Sequence, residues 1–165
     1  VQIEVSCQGY AMAQAKKRGM KIFLNPSPAD EIIGTLPLDA VDCFILNELE
    51  GAMLAGLDAV SGPAFAGEVL ERLRRRFPGA DLVLTLGADG ARWSGADGES
   101  FAVPAAKVAP VDTTAAGDTF TGYLVAALLR GETPAAAMRE ASAAAGICVT
   151  RVGAAPSIPW RRELP

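Results

Sequence analysis

Val111-Asp112-Thr113-Thr114-Ala115-Ala116-Gly117-Asp118-Thr119-Phe120 is a run of small residues that leads into an apolar helix. From Gly117 to Arg130 the pattern is helical, with Phe120, Leu124 and Leu128 on one face. The small side chains of Ala115, Ala116 and Gly117 let backbone N–H groups come close to a ligand. A helix N-terminus adds unsatisfied donors and the positive end of the helix dipole. Together these features make an anion hole suited to a transferring phosphoryl group. Asp118 falls in the first helical turn, where a carboxylate can take a proton from an attacking hydroxyl. The plain alternative is that Asp118 only caps the helix and Gly117 only turns the chain.

Working outward from this stretch, strands and helices alternate. Residues 1–5 alternate apolar and polar as a strand does. Residues 7–19 read as a helix that stops at Gly19. Met20–Leu24, Val41–Leu46 and Asp81–Leu86 are short apolar runs closed by Asn25-Pro26, Asn47-Glu48 and Gly87. Glu48–Ala55 and Phe65–Phe77 look helical. Residues 91–110 hold strand-like pieces around Gly95 to Gly98, a hairpin pattern. Thr133-Pro134 caps and starts a last helix, which runs to about Val149. Runs that are continuously apolar, rather than half polar, belong to strands buried on both faces. The fold class is therefore α/β, a mostly parallel sheet with helices on both faces. Ligands of such sheets bind beyond the carboxyl ends of the strands. No repeat or linker interrupts residues 1–165, which read as a single partial domain.

Composition narrows the function. Half of the 165 residues are hydrophobic and 21% are charged, enough for a packed core. A net charge of −4 argues against a nucleic-acid surface, which needs a basic face. With no histidine, Ser-His-Asp and Cys-His mechanisms and histidine metal sites are excluded. A general base must be a carboxylate, a lysine or a tyrosine. Cys7, Cys43 and Cys148 are odd in number and far apart, which fits reduced thiols in a cytoplasmic protein better than disulfides. No run approaches the ~20 apolar residues of a membrane span. No Gly-x-Gly-x-x-Gly follows a strand and no Gly-Lys-(Ser/Thr) occurs, so neither a dinucleotide fold nor a P-loop is indicated. The chain starts inside a strand pattern with no basic leader, and is expected to lack what precedes it in a complete protein.

The Val111–Phe120 string resembles the C-terminal signature of the ribokinase-like (pfkB-type) carbohydrate kinase family, Asp-Thr-x-Ala-(Ala/Gly)-Gly-Asp-x-Phe. Other elements are similar in the same order. Asn25-Pro26-Ser27-Pro28-Ala29 looks like the family's Asn-Pro turn, and Asn47-Glu48-Leu49-Glu50 like its Asn-x-x-Glu element. Thr85-Leu86-Gly87-Ala88-Asp89-Gly90 resembles its nucleotide loop. The tail from Val149 to Trp160 is similar to that of the family's ribokinase branch. The resemblance runs from Ile3 to Trp160 and corresponds to the C-terminal half of the family fold. Nothing matches the N-terminal half, which carries further sugar contacts and a small β-lid. A fragment, a truncated product or one piece of a split assembly would each account for this.

The resemblance implies a set of roles. Asp118 is the catalytic base, and Ala115, Ala116 and Gly117 line the anion hole. Asn47, Thr85, Leu86, Gly87, Ala88, Asp89, Gly90, Gly117, Asp118 and Ser142 face the nucleotide. Glu50, with Asn47, serves the triphosphate and its Mg²⁺ through water, which suits an ion that keeps several waters. Glu4 and Asp118 reach the sugar. A monovalent cation, K⁺, is implied at Asp112, the carbonyls of Thr114, Cys148, Arg151 and Gly153, and the Ser157 hydroxyl; loop oxygens suit a hard cation. The bland readings stay beside these: a solvated charge for Glu50 and Glu4, a self-bonded turn for Asp112, an ordinary helix serine for Ser142.

The implied function is ATP-dependent phosphoryl transfer to a sugar hydroxyl, most naturally ribose to ribose 5-phosphate, in the complete protein. Partners would be ATP and a small sugar, with no nucleic acid and no membrane; a homodimer of the complete protein is compatible. Two alternatives remain at this level. One is the same fold acting on adenosine, a fructose phosphate or a ketodeoxy sugar acid. The other is a truncated nucleotide-binding module without turnover.

Overall fold

The computed structural model describes residues 7–27, 31–58 and 63–165. The strand expected at residues 1–5, the sugar contact expected at Glu4, and Pro28-Ala29 lie outside the described residues. The chain divides into two compact units. One comprises Val1–Thr85 with Trp93–Ser100, the other Leu86–Arg92 with Phe101–Pro165.

In the first unit, α1 (Gln8–Lys17) precedes β1 (Phe23–Leu24), and β2 (Cys43–Asn47) leads directly into α2 (Glu48–Ala55). Then come α3 (Pro63–Arg76) and β3 (Asp81–Thr85). β1 pairs with β2 and β2 with β3, both in parallel, with Phe23 beside Cys43 and Asn47 beside Thr85. Cys43, Phe44, Ile45 and Leu46 are all at most 2% exposed. Successive side chains of a strand point to opposite faces, so burial of all four means that both faces of β2 are covered. Each such side chain contributes roughly 1.5–3 kcal/mol of burial. β1 is shorter than the apolar run suggests: Met20 and Lys21 are exposed, and only Phe23 and Leu24 pair.

The turn from α3 to β3 is tied by Arg74. Its guanidinium donates to the carbonyls of Pro78 (3.1 Å) and Ala80 (2.6 Å), and also to Ser94. Arg76 donates to Leu54 O (2.8 Å), joining the ends of α2 and α3.

β4 (Ala91–Ser94) and β5 (Ser100–Val103) form the expected hairpin, closed by Gly95 N–H donating to Glu99 O (2.8 Å). A loop this short permits only an antiparallel pair. The five strands form one sheet in the order β1-β2-β3-β4-β5.

The second unit is built on α4 (Ala116–Leu129) and α5 (Pro134–Cys148), which pack on each other. Phe120, Leu124 and Ala127 of α4 and Ala137, Met138, Ala141 and Ala144 of α5 are buried. Alanines on α5 keep that seam narrow. Thr133 caps α5 by accepting the Ala136 N–H (3.3 Å), with Pro134 in the first turn where its lack of an N–H costs nothing. Among the described residues no helix is long and apolar enough to cross a membrane.

Candidate active site

The first unit contributes the carboxyl ends of β2 and β3. Asn47 ends β2 and caps α2: its Oδ1 accepts the Glu50 N–H (2.9 Å), while Glu50 Oε2 accepts the Asn47 N–H (2.8 Å). This reciprocal box satisfies two helix-end donors and aims the chain sharply out of the sheet. Glu50 is 3% exposed, so its carboxylate is not a solvated surface charge. Thr85 Oγ1 donates to Leu46 O (3.2 Å), and Asn25 Nδ2 donates to Ile45 O (2.9 Å). Asn25, Asn47 and Thr85 thus stand together at the end of the parallel strands where α/β sheets bind ligands. Among the described residues no group of three or more Cys, Asp or Glu could hold a metal by itself. Nucleotide-borne Mg²⁺ needs only one or two protein carboxylates besides the phosphates, and Glu50 fits that demand.

In the second unit, Leu86–Gly90 forms a closed turn. Leu86 N–H donates to Gly90 O (2.8 Å) and Asp89 N–H to Leu86 O (3.0 Å). Gly87, Ala88 and Asp89 are exposed at its tip. Gly90 has φ 92 and ψ −135, and a Cβ there would lie 2.1 Å from Val103 O. Only glycine fits both the conformation and the space.

The small-residue loop enters α4 with a left-handed residue. That residue is Ala115 (φ 60, ψ 10), and the helix begins at Ala116, one position earlier than Gly117. An L-residue in that conformation costs roughly 1–2 kcal/mol, so the neighbouring structure must hold it. Asp112 is the holder. Its Oδ1 accepts the Thr114 N–H and its Oδ2 accepts the Gly153 N–H, each at 2.9 Å. The Thr114 side chain first, then the Gly153 and Thr114 N–H groups, bring the Asp112 carboxyl down to about 2. Ala116 N–H donates to Thr113 O (3.2 Å). Among the described residues the Gly117 N–H finds no backbone acceptor. Gly117 and Asp118 are exposed in this first turn.

The tail completes this loop. Cys148 Sγ lies 3.6 Å from Thr114 O and 3.1 Å from Ser157 Oγ. Ser157 Oγ donates to Ala154 O (2.6 Å). Arg151 N–H donates to Cys148 O (3.0 Å), while its guanidinium pairs with Glu163 at 2.6 Å and lowers that carboxyl's pKa. Asp112, Thr114, Cys148, Gly153 and Ser157 are therefore linked in one network, with Arg151 attached through its N–H. Ser142 behaves differently from a free ligand contact: its Oγ donates to Pro104 O (2.9 Å), fastening α5 to the segment after β5. One turn further, a Cβ on Gly146 would meet Ala106 Cβ at 2.4 Å, so α5 lies very close to that segment.

Sequence reasoning missed the side chains that tether the tail. Tyr123 donates its hydroxyl to Pro159 O (2.6 Å), and the Cys148 thiol meets Ser157. Neither has a local pattern to announce it.

Residues 8–161 match the family described as pfkB family carbohydrate kinase. The chain is 38% identical to a ribokinase of Haemophilus influenzae over 99% of this chain and 53% of the relative. It is 33% identical to a ribokinase of Schizosaccharomyces pombe over 99% of this chain and 52% of the relative. Among solved structures, the ribokinase of Cryptococcus neoformans var. grubii in complex with ADP superposes with a TM-score of 0.86 at 26% identity, covering 99% of this chain and 57% of that one. The Arabidopsis thaliana ribokinase complexed with ribose and ATP superposes with a TM-score of 0.80 at 29% identity, covering 92% of this chain and 48% of that one. The chain spans about half the length of the curated relatives it matches. With its site elements in the family's order and its fold superposing on theirs, the chain belongs to the pfkB family of carbohydrate kinases.

Proposed function

We propose that this chain supplies the nucleotide side and the catalytic base of a kinase that moves the γ-phosphoryl group of ATP to a pentose hydroxyl, with ribose as acceptor. The observation that carries this reading is the start of α4. A left-handed Ala115, held by the Asp112 loop, presents a Gly117 N–H with no backbone acceptor among the described residues, beside the exposed Asp118. The ribose and ATP bound by the Arabidopsis relative, and the deoxyribokinases among the relatives, support a pentose acceptor.

In this mechanism the acceptor hydroxyl loses its proton to Asp118. Its oxygen bonds to the γ-phosphorus as the bond from that phosphorus to the β–γ bridging oxygen breaks, and ADP leaves. The Gly117 N–H, in the hole lined by Ala115 and Ala116, receives the charge that develops on the phosphoryl oxygens. Asn47, Thr85 and the Leu86–Gly90 turn would contact the nucleotide, while Ser142 acts through the segment it fastens at Pro104. Glu50 would meet the nucleotide's Mg²⁺ through water, and Mg²⁺ when bound would neutralise phosphate charge. Asp112, Ser157 and the carbonyls of Thr114, Cys148, Arg151 and Gly153 would hold K⁺, which would fix the anion-hole loop against the tail. A sugar contact at Glu4 rests on the family resemblance alone, since Glu4 lies outside the described residues.

Calorimetry with ATP and ADP, and a coupled assay with ribose, test the proposal on the chain alone and joined to the N-terminal half of a ribokinase relative. The chain alone should bind nucleotide weakly and turn over little, because alignment of the acceptor and exclusion of water can account for ~7–11 kcal/mol of barrier. In the joined protein, Asp118→Asn should cut turnover about 10²–10⁴-fold and leave ADP affinity within about twofold, since one isosteric change leaves the other contacts intact. No nucleotide binding by either protein would sink the proposal.

A further inference from the structure

We infer that Cys148 is a positioning residue: its buried thiol grips the Thr114 carbonyl and so holds the peptide that sets up the left-handed turn at Ala115. The inference rests on the kinase reading only for its catalytic consequence.

Cys148 is the last residue of α5 and Ser157 lies in the tail, and both are 0% exposed. The hydroxyl proton of Ser157 goes to Ala154 O, only 2.6 Å away. Ser157 Oγ therefore faces Cys148 as an acceptor, at 3.1 Å. Thr114 O is a second acceptor, at 3.6 Å from the same sulfur. The thiol thus bridges loop and tail, its one S–H proton shared between Thr114 O and Ser157 Oγ. Thr114 is gripped at both ends of its backbone, its N–H by Asp112 and its carbonyl by Cys148. The next residue is Ala115, the non-glycine residue with φ 60, and the one after it starts α4. A thiol is a weak donor but a large, polarizable one. It can span loop and tail at once from the end of a helix, where a methyl group would reach neither and a valine would fill the space without donating.

The competing account is that Cys148 fills space as a small apolar residue. Hydrogen exchange on the 165-residue chain separates the two. The amides of Thr114 and Ala116, bonded to Asp112 and Thr113, report the loop; those of Leu124 and Met138 report the helix core. Cys148→Ala and Cys148→Val should speed exchange at Thr114 and Ala116 by about five- to tenfold, the scale of one lost hydrogen bond, with the core amides unchanged. Cys148→Ser, which restores a donor, should return the loop amides to near wild-type protection. ADP affinity should follow the same order. Equal loop protection in the Ala, Val and Ser variants, or a uniform loss across loop and core, would overturn the inference. Should neither the chain nor the joined protein bind nucleotide, the kinase reading falls while the exchange pattern still decides the role of Cys148.

Discussion

The Asp112 carboxylate accepts the N–H of Gly153, 41 residues further along the chain, at 2.9 Å. With its other oxygen it accepts the Thr114 N–H, so one side chain joins the anion-hole loop to the tail. The hydrogen bonds that hold this carboxylate bring its pKa down to about 2, below the ordinary ~3.9. A carboxylate with a depressed folded pKa stabilises the fold fully above its unfolded pKa and ceases to do so as pH falls through its folded value. Wild-type chain should therefore exceed Asp112→Asn in unfolding midpoint by a constant margin down to about pH 4. The margin should close as pH approaches about 2. Thermal unfolding of both proteins across pH checks this; a margin already gone at pH 5 contradicts it.

The same oxygens predict a cation effect. K⁺ should raise the melting temperature more than Na⁺ at equal ionic strength, because only the ion that fits the loop oxygens binds the folded state. Asp112→Ala should erase the difference. Identical melting in the two salts would remove the cation from the account of this loop.

Thr119, next to the proposed base, is 2% exposed, and its hydroxyl has no hydrogen-bond partner among the described residues. A buried hydroxyl without a partner costs about 1–3 kcal/mol. Thr119→Val keeps the shape and removes the hydroxyl, so it should stabilise the chain by about 1 kcal/mol. Denaturant unfolding measures this; a loss of stability would mean that the hydroxyl has a partner in solution.

Gly90 should tolerate no side chain. Gly90→Ala combines a conformation nearly confined to glycine with a contact to the Val103 carbonyl, and should cost about 3 kcal/mol or more. Gly98, also at positive φ but with open space around it, is the control, and its alanine variant should cost only about 1–2 kcal/mol.

The elements most legible in the sequence are those specified by near neighbours. β2 announces itself because every residue from Cys43 to Leu46 is apolar. Asp118 is likewise legible from its near neighbours as a first-turn carboxylate. Legibility fades where distant residues decide. Met20–Leu24 reads as a five-residue strand, yet Met20 and Lys21 are exposed and only two residues pair. Gly117 looks like the natural turn former, but the left-handed residue is Ala115, held there by Asp112 and a tail more than thirty residues downstream. Glu50 as a helix cap was visible in principle, since Asn-x-x-Glu is also a capping pattern. The joining of Cys148 to Ser157 follows from how the tail folds back, and no local spacing encodes it.

The reach from Asp112 to Gly153 also sets what a shortened chain would lose. A product that ends between Cys148 and Gly153 keeps all of α4 and α5, and with them the residues that both helices bury. It lacks the distant donor to Asp112 and the Ser157 hydroxyl that faces Cys148. Such a product should keep its helical pair while the anion-hole loop stays open, so compactness alone would not report competence to cradle phosphate.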